Sequence, residues 1–107
     1  MKGDSVFRLG QWYQSHCDGD WEHDERLTIR TVDNPGWRVT VNLQGTFEVI
    51  PAMSRIDVNR GEHDWYTCWL DGSAFEAAGG PQNLPEMFDA LVGWLATFDP
   101  SMPRAVE

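Results

Sequence analysis

Leu27-Thr28-Ile29-Arg30-Thr31-Val32-Asp33-Asn34-Pro35-Gly36-Trp37-Arg38-Val39-Thr40-Val41-Asn42-Leu43 reads as two strands and the turn between them. Leu27 and Ile29 alternate with Thr28 and Arg30, and Trp37, Val39, Val41 and Leu43 alternate with Arg38, Thr40 and Asn42. That period of two belongs to strands with one buried face. Between them, Pro35 fixes φ at the first central position of a turn and Gly36 accepts positive φ at the second. Asn34-Pro35-Gly36-Trp37 is therefore expected to form a type II turn closing an antiparallel hairpin.

Downstream, Gln44-Gly45-Thr46 breaks the second strand, and Phe47 to Ile50 gives a brief extended run stopped by Pro51. Ser54 to Asn59 alternates again, with Ile56 and Val58 on one face, and Arg60 to His63 has turn composition. Asp64 to Asp71 predicts a strand with Tyr66, Cys68 and Leu70 on one face and Trp65, Thr67 and Trp69 on the other. One of these faces packs on the core and the other is partly covered or open to a partner. Asp71-Gly72 turns into a short strand over Ala74-Phe75-Glu76, and Gly79-Gly80-Pro81 ends it.

Asn83, with Pro85 in the first turn and Glu86 three residues on, marks a helix start. Leu84, Met87, Phe88, Leu91, Leu95 and Phe98 make its apolar stripe, which ends at Asp99-Pro100. Upstream, Asp4 and Ser5 are plausible N-caps, and Val6, Leu9 and Tyr13, with Trp12 beside them, recur at helical spacing to about residue 15. The fold class expected is α+β: an antiparallel sheet of four to five strands with an N-terminal and a C-terminal helix packed on one face. A single domain spans residues 1–99, and residues 100–107, with Pro100 and Pro103, read as a flexible tail.

The chain's 107 residues suit one hydrophobic core, and 41% apolar content with six Trp and five Phe supplies it. A net charge of −9 argues against nucleic acid or an anionic membrane as partner, since phosphate binding needs a basic surface, and favours a partner with a basic one. No apolar run has signal-peptide or membrane-spanning length, which predicts a cytoplasmic protein with Cys17 and Cys68 reduced.

Cys17-Asp18-Gly19-Asp20-Trp21-Glu22-His23-Asp24-Glu25 places five carboxylates around one indole. An aromatic ringed by charge has the character of a recognition surface, with Trp21 as anchor. The rival reading is a metal-binding module or small metal-dependent enzyme using segment 18–25. On an extended backbone Asp18, Asp20, Glu22 and Asp24 share one side, but the sixth position of a calcium loop lacks glycine and the twelfth is Ile29. No paired zinc-ligand spacing, phosphate loop or nucleophile elbow occurs, so no catalytic residue, metal or cofactor is assigned. Trp12 and Trp94, on the helices, read as core, whereas Trp21 and Trp65 are flanked by acids.

These motifs carry a family resemblance. Trp12-Tyr13, Cys17 to His23, Thr31-Val32-Asp33-Asn34-Pro35-Gly36-Trp37, Asp64-Trp65, Phe75 and Gly79-Gly80-Pro81-Gln82-Asn83-Leu84 together resemble the immunity protein 53 family of bacterial polymorphic-toxin systems, over roughly residues 9 to 98. The resemblance implies a cytoplasmic, non-enzymatic protein that binds and neutralises a cognate protein toxin. An acidic surface suits a toxin with a basic active-site cleft, such as a nuclease. The partner-binding residues expected are Asp18, Asp20, Trp21, Glu22, Asp24 and Glu25, with Asp33, Trp37, Asp64 and Trp65 as second-tier contacts if turns and strand starts cluster at one end of the sheet. Trp21, Glu22 and the Asn34–Trp37 turn are open to a second reading, as supports of the fold.

Overall fold

The alternation read in residues 27–43 becomes the first hairpin of a five-stranded antiparallel sheet. A computed structural model describes residues 4–104. Its elements run α1 (Asp4–His16), a 3-10 turn (Trp21–His23), β1 (Leu27–Val32), β2 (Gly36–Asn42), β3 (Ile56–Gly61), β4 (Asp64–Asp71), β5 (Ala74–Gly79) and α2 (Leu84–Ala96). The strand order is β1-β2-β5-β4-β3, so the β4–β5 hairpin is inserted between β2 and β3. The architecture is α+β, a five-stranded antiparallel sheet with an N-terminal and a C-terminal helix.

Register sorts the side chains. Val41 pairs with Leu27 and Phe75, and Val39 with Ile29 and Ala77, while Cys68 pairs with Ala77 and Ile56. Directly opposed residues share a face. Val39, Val41, Phe75, Ala77 and Cys68 therefore form one apolar surface, buried under Met87, Phe88, Leu91, Val92 and Leu95 of α2. α2 lies on β4 and β5, and α1 packs against α2, sending Leu9 and Trp12 into the same core. Burial pushes the Cys68 thiol up to about 11, which leaves it a neutral core side chain. Among the described residues no helix is long and apolar enough to cross a membrane.

Several expectations change. The face that α1 buries is Ser5, Leu9 and Trp12, while Val6 and Tyr13 are exposed. Ser5 donates its hydroxyl to Asp89 on α2, and such a partnered polar position is invisible to an apolar pattern. Phe47 to Ile50 is not a strand but a bend. There the Phe47 ring meets His16 and Phe98 edge-on. β5 continues past Glu76 to Gly79, because a central strand lying under α2 needs small side chains and gains its ladder on both edges. The expected tail begins with residues held down: Met102 is buried and Arg8 Nε donates to the Pro103 carbonyl at 2.7 Å. Residues 105–107 of that expectation lie outside the described residues.

The turn between β1 and β2 also differs. The Asn34–Pro35 peptide is cis, and Gly36 is absent from the positive-φ glycines. A type II turn needs positive φ at its third residue, so that turn is not formed. Asp33-Asn34-Pro35 is instead a three-residue loop between the paired Val32 and Gly36. Gly36 is required for space, since a Cβ there would collide with the backbone carbonyl of Gly79 on β5. Gly36→Ala is expected to cost about 1–3 kcal/mol, as overpacking against backbone does. Urea unfolding checks it against Gly10→Ala, where a Cβ meets nothing within 4 Å and helix propensity should raise stability by about 0.5–1 kcal/mol.

Candidate functional site

The acidic segment begins where α1 ends. Asp18 Oδ1 accepts the backbone N–H groups of Asp20 and Trp21, each at 2.9 Å, while the Glu22 carboxylate accepts those of Asp18 at 3.0 Å and Gly19 at 2.9 Å. Two carboxylates thus clamp the 3-10 turn reciprocally, as a capping box clamps a helix start. The N–H groups of Trp21 and Asp20 hold the Asp18 carboxyl below its usual range. The backbone N–H of Glu22 itself, then those of Asp18 and Gly19, hold the Glu22 carboxyl below its usual range. The segment is not extended, so the four alternating acids do not line one side.

Trp21 is not the exposed anchor expected from its neighbours. It is only 7% exposed. Its indole N–H donates to Thr46 Oγ1 at 2.7 Å, and its ring lies against Trp12, Tyr13 and His16 with centroids 5.4 to 5.9 Å apart. The buried Arg26 guanidinium lies 4.8 Å from the ring centroid and donates to the Trp21 and Gln44 carbonyls. Acidic flanks did not signal exposure because the backbone turns the ring inward and leaves the carboxylates outside.

Asp18, Asp20, Asp24 and Glu25 remain exposed, and Glu22 is half-buried. Glu22, Asp24 and Glu25, with Tyr13, Arg26 and Leu27, line a cleft of about 290 Å³. Asp24 reaches Arg26 Nη2 at 3.4 Å but its side chain stays 75% exposed. Such a cleft can take a guanidinium or ammonium group, with the half-exposed Tyr13 ring beside its aliphatic stem.

The second-tier residues lie at the other end of the sheet. β1 runs from Leu27, beside the acidic segment, to Val32 at the hairpin turn, a span of about 17 Å at the usual rise. Trp37 and Tyr66 both pair with Gly79, so Asp33, Trp37, Asp64 and Trp65 do cluster at one end, away from residues 18–25. Within that cluster, Trp37 donates its indole N–H to the Pro81 carbonyl at 3.0 Å. Arg60 binds Asp64 and Glu86, and the buried Asn83 amide bridges the same two carboxylates at 2.9 and 2.7 Å. Arg60 first and Asn83 second hold the Asp64 carboxyl below its usual range. This network ties the β3–β4 turn to the start of α2.

Trp65 belongs to the sheet face without helices, together with Arg30, Arg38, Thr40, Thr67, Trp69 and Glu76. The guanidiniums of Arg38 and Arg55 each lie 5.1 Å from the Trp69 ring centroid. Glu76, 8% exposed, accepts from Arg38 Nη2 at 3.0 Å and Thr40 Oγ1 at 2.8 Å. Arg30, Thr31, Val32, Asp33, Asn34, Arg38, Trp65 and Ala78 line a cleft of about 620 Å³. The arginines escaped the sequence reading, though the hairpin alternation already put Arg30 and Arg38 on the face opposite Val39.

His16, Asp99 and Ser101 approach a nucleophile arrangement without making one. Asp99 and Ser101 both meet His16 Nε2, at 2.9 and 3.0 Å, so the ring cannot relay a proton from one to the other through its two nitrogens. Trp12 Nε1–H also donates to Asp99, at 2.6 Å, which makes the cluster a lock between α1 and the chain after α2. Burial pushes the Asp99 carboxyl up, but hydrogen bonds from Ser101, His16 and Trp12 outweigh it and leave it below 3.8. A carboxyl lowered on folding adds stability that is present above its unfolded value and lost as pH falls through its folded one. Asp99→Asn is expected to cost about 1–3 kcal/mol at pH 7 and to flatten the fall in stability below about pH 4, measured by urea midpoints across pH. Among the described residues, no three His, Cys, Asp or Glu side chains converge to hold a metal ion.

A one-sided α+β sheet with a cleft of opposite character at each end belongs here to an immunity protein. Residues 6–96 match the sequence model of Immunity protein 53, and the chain belongs to that family. No curated protein and no solved structure matches it.

Proposed function

We propose that this immunity protein neutralises a cognate polymorphic toxin by binding it, without catalysis, and that the acidic cleft beside Tyr13 receives an Arg or Lys of the toxin. The observation that carries the reading is the set of exposed carboxylates, Asp20, Asp24 and Glu25, presented on a segment held rigid by buried Trp21 and Arg26. A rigid display lowers the entropy lost on docking. The net charge of −9 extends the attraction beyond contact and steers a basic partner inward.

Asp18 and Glu22 act in this reading mainly by shaping the segment, and Trp21 by supporting it from within. A toxin with a basic active-site cleft, such as a nuclease acting in the cytoplasm, has the complementary charge, and covering that cleft would stop its activity. The test is co-expression with the toxin encoded beside this protein: cells carrying both should grow, and cells carrying the toxin alone should not. Continued killing with this protein folded and abundant would refute the proposal.

A further inference from the structure

Arg30 and Arg38 are direct cross-strand partners on the open face of the sheet. Like charges in that position repel. Arg8, Arg26, Arg38, Arg55 and Arg60 each meet a carboxylate, whereas Arg30 makes no ion pair with any described residue, in a chain with seventeen acids. Arg38 is incompletely matched as well: Nη2 meets Glu76, and Nε is buried with no acceptor among the described residues. Arg30 and Arg38 both line the cleft of about 620 Å³, together with Trp65 and Ala78.

We infer that this cleft is a second contact point for the toxin, taking an aspartate or glutamate side chain from it. A carboxylate placed beside Arg30 supplies the partner that its guanidinium lacks, and its methylene stem lies against the half-buried Trp65 ring. Bidentate geometry favours arginine for such recognition. Asp33 also lines the cleft, and its exposed carboxylate, within a chain of charge −9, disfavours a polyphosphate backbone while tolerating one carboxylate. This inference rests on the toxin-binding reading for the identity of the partner. With the acidic cleft beside the start of β1, the protein presents two clefts of opposite charge. Such a pair fixes the orientation in which the toxin docks.

The probe is an acetylated, amidated Gly-Glu-Leu-Glu-Gly peptide titrated against labelled protein, with its glutamine counterpart as control, following the Trp65 indole and Arg30 Nε–H resonances. The acidic peptide should shift both, the glutamine peptide should not, and Arg30→Gln should weaken binding at least tenfold with an unchanged amide spectrum and a Tm equal or higher. Equal shifts by both peptides, undiminished binding by Arg30→Gln, or tighter binding of adenosine monophosphate than of the acidic peptide would overturn the inference. With the toxin, Arg30→Gln should also lose about tenfold in affinity, the scale of one charged contact at a rim. If Asp20→Lys with Glu25→Lys abolishes toxin binding while Arg30→Gln leaves it unchanged, the second contact is wrong and the acidic-cleft reading stands. The reverse pattern removes the acidic cleft and leaves the arginine site in place.

Discussion

Trp21→Ala is expected to destabilise the fold by about 3–5 kcal/mol, the cost of emptying a buried tryptophan site. A domain of this size has about 5–15 kcal/mol in total, so the substitution removes a large share of the fold's stability. The loss has several parts. Trp12, Tyr13 and His16 lose an aromatic neighbour, the buried Arg26 guanidinium loses the ring beneath it, and Thr46 loses its indole donor. Trp21→Phe keeps a ring and forfeits the hydrogen bond, so it should cost less, about 1–2 kcal/mol. Urea unfolding followed by circular dichroism separates these values from an exposed tryptophan, whose removal stays within about 0.5 kcal/mol. A cost that small at Trp21 would contradict the buried cluster.

Trp21 also shows where the sequence stops being legible. Strand β4 and helix α2 were readable because long periodic runs leave one face to bury, and the hairpin strands followed from alternation alone. The hairpin turn departs from its local signature because Gly36 answers to the Gly79 carbonyl, forty-three residues on, and no local rule contains that contact. The β5 residues Ala77, Ala78 and Gly79 have poor strand propensity, and their central place under α2 overrides it. The acids of segment 18–25 were visible as charge, but which of them face solvent depended on two backbone clamps, at Asp18 and Glu22, that only the folded turn reveals. The open-face arginines needed register: once Arg30 is seen opposite Arg38, their shared cleft follows.

The second large effect concerns binding. Asp20 and Glu25 are exposed, and their side chains make no hydrogen bond among the described residues, so reversing them should leave the fold alone. Asp24 and Glu22 are unsuitable for that purpose, because one pairs with Arg26 and the other holds the 3-10 turn. If the toxin places an Arg or Lys in the cleft, reversing Glu25, which lines it, replaces a contact with repulsion, and reversing Asp20, outside the lining, turns steering charge against the partner. Charged contacts buried on docking are worth about 2–5 kcal/mol on truncation, and rim charges act mainly on the association rate and its salt dependence. The two together should raise the Kd by about two orders of magnitude at low salt, with a smaller factor once salt screens the steering component.

The most direct measurement is therefore the Kd of the cognate toxin for the wild-type protein and for Asp20→Lys with Glu25→Lys, at low and at moderate ionic strength, with thermal melts of both. Binding through the acidic cleft predicts an unchanged Tm and a Kd higher by about a hundredfold at low salt. An unchanged Tm with a Kd within about twofold of wild type at both salts would contradict it, because electrostatic contacts of this kind cannot be reversed without a change in affinity.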